Sequence, residues 1–297
     1  MHRHLVIGLE GPVLSADERR MLRDHPPLGV ILFTRNTESP EQVSSLLAEV
    51  REMTGEQTWA VVDEEGGRVN RMPWAPFNER KPAAFYGERW QRDADASVRA
   101  VYEDNRRTGE ALVELGFTHD CAPVLDLFHA RGHGVIGDRA YGVDAEVVAA
   151  LGTACMRGLS DAGIEAVGKH FPGHGRANAD SHFALPRVDA CLETLLAEAR
   201  PFAKLAGTGL SHVMSAHVVY ADADDRPATF SPFWLGEVLR RRFAFSGSIW
   251  SDDLCMAGAG PDVPEAARAA RAAGCDVLLV CQPQGVACMY AALGELC

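Results

Sequence analysis

The stretch AEVVAALGTACMRGLSDAGIEAVGKH, Ala145–His170, holds one helix, one turn and one strand in succession. Its apolar residues keep helical spacing from Ala145 to Ala162, Gly163 stands where a left-handed residue ends a helix, and Ala166–His170 is a short apolar run closing on two polar residues. The same alternation continues in both directions. Strands are expected near His4–Leu9, Gly29–Phe33, Trp59–Asp63, Thr118–Leu125, Ala166–His170, His212–His217, Ser248–Asp252 and Asp276–Cys281. Between them lie helices at Pro40–Met53, Ala96–Leu115, Ala145–Ala162, Glu193–Ala206, Pro232–Phe243 and Pro264–Ala273. Ser39-Pro40-Glu41 opens the first of these with an N-cap, a first-turn proline and an early acid, and Gly116 and Gly274 close two others. Eight strand–helix units in one chain are the count of an α/β (β/α)8 TIM barrel, expected here as a single domain over residues 1–297.

A doubly wound open sheet is the competing architecture, but it usually opens with a glycine-rich phosphate turn. Here the first turn reads Gly8-Leu9-Glu10-Gly11-Pro12, and Pro12 argues against a helix beginning on cradled phosphate. The connection from Gly66 to about Asp95, rich in Pro, Arg and Trp, is expected to be a loop over the barrel mouth. At the other end, Gly285–Leu296 is expected to cover the eighth strand.

At 297 residues, with 47% hydrophobic and 24% charged residues, the chain has room for a sizeable core and no disordered, collagenous or disulfide-stapled signature. Its 29 Lys and Arg against 41 Asp and Glu leave a net charge of −12, which disfavours nucleic acid and anionic membrane as partners. The eight cysteines, Cys121, Cys155, Cys191, Cys255, Cys275, Cys281, Cys288 and Cys297, form no CxxC pair and are expected as buried or reduced thiols. No apolar run approaches the roughly 18 residues of a membrane span, and the opening MHRHLVIGLEG is no signal peptide. Cytoplasm is therefore the expected location.

In such a barrel, chemistry belongs to the C-terminal ends of the strands. Polar residues gather there: Asp63-Glu64-Glu65-Gly66-Gly67-Arg68 after strand 3, Asp126 after strand 4, Lys169–Gly175 after strand 5, His217 after strand 6 and Ser251-Asp252-Asp253 after strand 7. Gly66 and Gly67 suit a sharp turn at the mouth. Asp252 and Asp253, being consecutive at a strand end, should point to opposite sides, so only one can serve as a nucleophile. His170 and His174 lie four apart, but Pro172, Gly173 and Gly175 oppose a helix there and no HExxH is present. No metal and no cofactor is expected.

The motifs DEEGGRVNR (Asp63–Arg71), APVLD (Ala122–Asp126), KHFPGHG (Lys169–Gly175) with Asp180-Ser181-His182, RPATFSP (Arg226–Pro232) and SDDLCMAG (Ser251–Gly258) follow one another in order. Together they resemble the β-N-acetylhexosaminidases of glycoside hydrolase family 3, and most closely the bacterial cytoplasmic enzymes that recycle cell-wall fragments. The resemblance implies that Asp252 is the nucleophile that forms a covalent glycosyl-enzyme, and that Asp180 and His182 form a dyad with His182 as acid/base. It also implies that Asp63, Arg71, Arg139, Lys169 and His170 bind the sugar. Asp253 is expected to cap or orient, and His217 and Asp126 to line the floor.

Ordinary retaining glycosidases pair their nucleophile with a second carboxylic acid. An imidazole can do the same work near neutral pH, and residues i and i+2 of an extended segment, such as Asp180 and His182, face one side. The implied activity is release of terminal GlcNAc from GlcNAc-1,6-anhydro-MurNAc or its peptides by an exo-acting, retaining enzyme, a monomer or weak dimer whose partner is this small saccharide. Two alternatives stand beside it. A histidine acid/base leaves less negative charge at the anomeric centre, so phosphorolysis by inorganic phosphate is open; a catalytically silent sugar-binding barrel is the other. The family's β-glucosidases normally carry further domains, which disfavours that activity.

Overall fold

Alternate residues of a strand go to opposite faces, and here both faces are apolar, as a strand buried between a barrel interior and a helix layer requires. The computed structural model describes residues 1–292 and 294. Eight parallel strands run β1 (Leu5–Gly8), β2 (Gly29–Leu32), β3 (Trp59–Val62), β4 (His119–Asp120), β5 (Glu165–Phe171), β6 (His212–Ser215), β7 (Ser248–Trp250) and β8 (Leu278–Val280). Their order is β7-β6-β5-β4-β3-β2-β1-β8, and a parallel bridge between Trp250 and Val277 joins the two ends. The result is a (β/α)8 barrel. Val6, Ile31, Val61, Val167, Met214 and Leu279 fill its interior, while Leu5, Ile7, Val30, Leu32 and Val62 face the helices.

The expected strand Thr118–Leu125 is shorter in the structure. Pro123 has no N–H for the ladder, so regular pairing stops at Asp120 and resumes in one bridge between Val124 and Lys169. The helices are α1 (Ala16–Asp24), α2 (Pro40–Thr54), α3 (Ala83–Trp90), α4 (Ala94–Leu115), α5 (Ala145–Asp161), α6 (Leu192–Glu198), α7 (Arg200–Ala206), α8 (Val263–Ala273) and α9 (Pro283–Ala292), with a π-type helix at Phe233–Arg242. The first of them starts at a reciprocal capping box between Ser15 and Glu18. Two expectations are corrected here. Glu193–Ala206 is two helices rather than one, because Pro201 cannot donate to the carbonyl four residues back. The connection Gly66–Asp95 is not all loop: α3 forms inside it, its Gly87 pressed against the Tyr141 carbonyl so closely that a Cβ would stand 1.5 Å from that oxygen. Of the expected cover Gly285–Leu296, α9 supplies the part to Ala292, and Leu296 lies outside the described residues.

Among the described residues no helix is long and apolar enough to cross a membrane. Seven of the cysteines are free thiols, and Cys297 lies outside the described residues.

Trp59, His119, His212 and Trp250 close the N-terminal end of the barrel. The two indoles stack at 5.6 Å, the His119 ring lies 4.3 Å from Trp59, and Trp250 Nε1–H donates to His212 Nδ1 at 3.2 Å. Burial among these rings pushes His119 down to about 3 and His212 down to about 4. Both imidazoles are neutral in the folded protein but protonate near pH 6.5 when unfolded. Their contribution is therefore intact above pH 6.5 and is lost as the pH falls towards 4 and then 3, each by up to about 1.4 kcal/mol per pH unit. A His119→Phe variant keeps an aromatic ring and removes one such proton. Its stability relative to wild type, followed by urea denaturation, should improve steadily from pH 6 to pH 4.5; a constant difference would show that His119 is charged in the fold.

Candidate active site

The segment after β3 continues its alternation, so Asp63 and Glu65 face the barrel mouth while Glu64 turns towards the helix layer. Lys169, at the end of β5, lies across both mouth-facing carboxylates, with Nζ 2.7 Å from Asp63 Oδ1 and 2.6 Å from Glu65 Oε1. Arg139 grips Glu65 with two bonds of 2.8 Å, and Arg71 reaches Asp63 Oδ2 at 3.2 Å. Burial alone would raise both carboxyls, but the surrounding cations win: Lys169 and Arg71 hold Asp63 down at about 2, and Arg139 and Lys169 hold Glu65 far below its usual range. Burial likewise opposes the charge on Lys169, and the two carboxylates more than restore it.

Glu64 stands behind this network, fully buried. Its Oε2 accepts the Arg71 N–H at 2.9 Å, Arg80 contacts its carbonyl, and burial pushes its carboxyl up to about 7. Arg80 also binds Asp104 at 3.2 Å and Asn105 at 2.9 Å, which anchors the strand-3 loop to α4. The loop turns at Gly66 (φ 88°) and Gly67 (φ 58°), and a Cβ on Gly66 would lie 2.9 Å from the Lys81 carbonyl oxygen.

At the end of β5, Asp126 organises the KHFPGHG loop. Its Oδ2 pairs with His170 Nδ1 at 2.7 Å, and its Oδ1 accepts the N–H groups of His170 (3.3 Å) and His174 (2.6 Å). Burial opposes the Asp126 charge, but His170 and these bonds hold the carboxyl below its usual range. His170 lines the pocket, and Nε2 is the ring nitrogen that Asp126 leaves to it.

At the end of β7, Asp252 Oδ1 accepts the Asp253 N–H at 2.8 Å. Burial pushes the Asp252 carboxyl up, but His170 and the Asp253 amide reverse this and keep it below the ordinary carboxylate range, hence ionised. Asp253 differs. Its Oδ1 is taken by the amides of Cys255 (3.0 Å) and Cys281 (2.9 Å), and burial raises its carboxyl. It ties the strand-7 loop to the end of β8, although it too touches the pocket.

The Asp180-Ser181-His182 segment is a turn, not the extended stretch expected from its i, i+2 spacing. Asp180 Oδ1 accepts the His182 backbone N–H at 2.9 Å and pairs with His182 Nδ1 at 2.7 Å, so side chain and backbone are held by one oxygen. Burial would raise Asp180, but these two bonds hold it below its usual range. The His182 side chain remains 61% exposed.

Asp63, Arg71, Arg139, Lys169, His170, Asp180, His182 and Asp252 all stand around one cavity of about 410 Å³ at the C-terminal end of the barrel. Its remaining wall includes Phe33, Ile136, Met214, Met256 and Leu279. The expectation that Asp126 and His217 line the floor is corrected: neither reaches the cavity. Asp126 lies behind His170, and His217 is buried with Nε2 3.1 Å from the Asp253 carbonyl and its ring stacked on Phe230. Glu65 was missed as a pocket residue, yet its signal was present, two positions beyond Asp63 on the same face. Met214 and Met256 had no comparable signal. Among the described residues, no group of three or more His, Cys, Asp or Glu could hold a metal ion.

Lys169 is buried and pairs with two carboxylates at once. A Lys169→Met substitution leaves Asp63 and Glu65 with one arginine each, and breaking a buried pair from one side costs about 3–5 kcal/mol. A loss of about 3 kcal/mol is expected at pH 7 by urea denaturation; a change under about 0.5 kcal/mol would mean that the two arginines suffice.

Comparison with known proteins identifies the family. The model of the glycosyl hydrolase family 3 N-terminal domain matches residues 6–296. A β-hexosaminidase of Thioalkalivibrio sulfidiphilus is 43% identical over 294 residues, 98% of this chain and 84% of that protein. One from Methylococcus capsulatus is 44% identical over 292 residues, 97% and 86% of the two chains. Among solved structures, NagZ from Neisseria gonorrhoeae in complex with N-trifluoroacetyl-D-glucosamine superposes with a TM-score of 0.90 at 36% identity, covering 99% of this chain and 88% of that one. A family match across almost the whole sequence, with relatives more than 40% identical, shows that this chain belongs to glycosyl hydrolase family 3 and is a glycoside hydrolase.

Proposed function

We propose that the protein is a retaining exo-β-N-acetylglucosaminidase that removes the non-reducing GlcNAc from cell-wall fragments of the GlcNAc-1,6-anhydro-MurNAc type. The observation that carries this reading is one cavity shared by an ionised Asp252 and an imidazole, His182, held by a carboxylate. In the first step an Asp252 oxygen attacks the anomeric carbon as the bond to the leaving oxygen breaks, and His182 Nε2–H gives that oxygen its proton. In the second step His182 takes a proton from water, whose oxygen attacks the same carbon and expels the Asp252 carboxylate. Two inversions at one carbon give net retention.

The ion network accounts for exo action. Asp63, Glu65 and Lys169 close the far side of the cavity, and the barrel interior beneath is packed with Val6, Ile31, Val61 and Val167. In this reading the network meets a terminal ring. Asp63, Lys169, His170, Arg71 and Arg139 supply acceptors and donors for its hydroxyl and acetamido groups. The named relatives are β-hexosaminidases, and the superposed NagZ structure contains an N-acylated glucosamine, which supports the N-acetyl sugar. Action in the cytoplasm on a small saccharide belongs to this reading, and the net charge of −12 disfavours nucleic acid and anionic membrane as partners.

Turnover of 4-nitrophenyl β-N-acetylglucosaminide in phosphate and in phosphate-free buffer tests this proposal. Free GlcNAc, first released as the β-anomer in both buffers, is expected. GlcNAc-1-phosphate in the phosphate buffer would instead identify a phosphorylase, which the histidine at the acid/base position favours as the second reading. Absence of turnover would point to a sugar-binding barrel without activity.

A further inference from the structure

Ser181 sits between the two members of the dyad, yet it behaves unlike its neighbours. It is 2% exposed, whereas Phe183 is 84% and Leu185 is 44% exposed in the same loop. Its hydroxyl and the buried His174 Nε2 are hydrogen-bonded at 3.1 Å, and its carbonyl accepts the Gly258 N–H at 2.9 Å. Those two contacts lead to different strand ends. His174 is fixed by its own N–H to Asp126, the residue that holds His170, while Gly258 belongs to the strand-7 loop that begins at Asp252. Burial drives the His174 ring down to about 4, so it is neutral at working pH and adds no charge next to Asp252. Gly258 is also a close fit: a Cβ there would lie 3.2 Å from the Ser181 carbonyl oxygen and 3.0 Å from His217 Cβ.

We propose that Ser181 is a positioning residue for proton transfer, clamping the loop that carries Asp180 and His182 onto the strand-5 end through His174 and onto the strand-7 end through Gly258. The proposal rests on the glycosidase reading above. It defines where His182 stands relative to Asp252, because both ends of the reaction are referred to one serine. Misplacing a catalytic group by about 1 Å can cost on the order of 100-fold. In the first step, read by kcat/KM, that cost should appear only where the leaving oxygen needs a proton.

The test compares two substrates, N,N′-diacetylchitobiose, whose sugar leaving group needs protonation, and 2,4-dinitrophenyl β-N-acetylglucosaminide, whose phenolate departs without it. Ser181→Ala should lose roughly 10–100-fold in kcat/KM, which reports the first step, on the disaccharide and no more than about twofold in kcat/KM on the aryl glycoside. Gly258→Ala leaves the serine hydroxyl intact but pushes on its carbonyl, and should give the same selective loss. It also carries the test if Ser181→Ala fails to fold. Equal losses on both substrates, or no loss on either, would overturn the clamp and leave the glycosidase reading standing. Failure of the wild type on both substrates would overturn that reading and the clamp with it.

Discussion

Asp252→Asn is expected to lower kcat on 4-nitrophenyl β-N-acetylglucosaminide by on the order of 10⁴-fold or more, because the amide cannot form the glycosyl ester on which both steps depend. Stability should change little. The carboxylate's hydrogen bond from the Asp253 N–H can be accepted equally well by the amide oxygen, and Asn has the same shape. KM should stay within a few-fold, since the groups around the sugar are untouched. Steady-state kinetics beside a thermal melt separate the possibilities: residual activity above about 1% of wild type in a folded variant would show that Asp252 is not the nucleophile.

His182→Ala is expected to produce the second largest effect, roughly 10²–10⁴-fold on a disaccharide, the range over which a positioned acid/base contributes. His182 is largely exposed and held by Asp180, so its removal should leave the fold intact. The loss should shrink on an activated aryl glycoside in the first step, and external azide should restore turnover there by replacing water as the acceptor that His182 would activate. A loss independent of leaving group would instead make His182 a binding residue. Asp180→Asn should follow the same pattern more weakly, because the amide oxygen can still accept from the His182 backbone N–H and ring but the carboxylate's negative charge beside the ring is gone.

Much of this arrangement could be read from residue patterns because each feature has a local cause. Apolar runs ending in Asp63, His170 and Asp252 mark strands whose polar ends face one mouth, and Gly116, Gly163 and Gly274 mark where helices stop. Features that depend on long-range packing were not legible. The helix Ala83–Trp90 is short and lies within a stretch rich in Pro, Arg and Trp, and it packs with Gly87 close against the Tyr141 carbonyl. Asp126 and His217 sit at strand ends as expected, but their side chains are consumed by His170, His174 and the Asp253 carbonyl, contacts spanning 36 to 48 residues of sequence. The dyad shows the opposite case. Its spacing was visible, while its geometry is a turn rather than an extended pair, because Asp180 satisfies the His182 amide as well as its ring. The serine within it carried no signal at all until His174 and Gly258 were seen beside it.

The central claim is that catalysis passes through a covalent ester on Asp252, and trapping that ester tests it most directly. Incubation with a 5-fluoro-N-acetylglucosaminyl fluoride, followed by intact mass and peptide mapping, should show one added sugar on the peptide that contains Ser251–Met256, with the label absent from Asp252→Asn. Label on any other residue, or an inactivated enzyme with no added mass, would contradict the account.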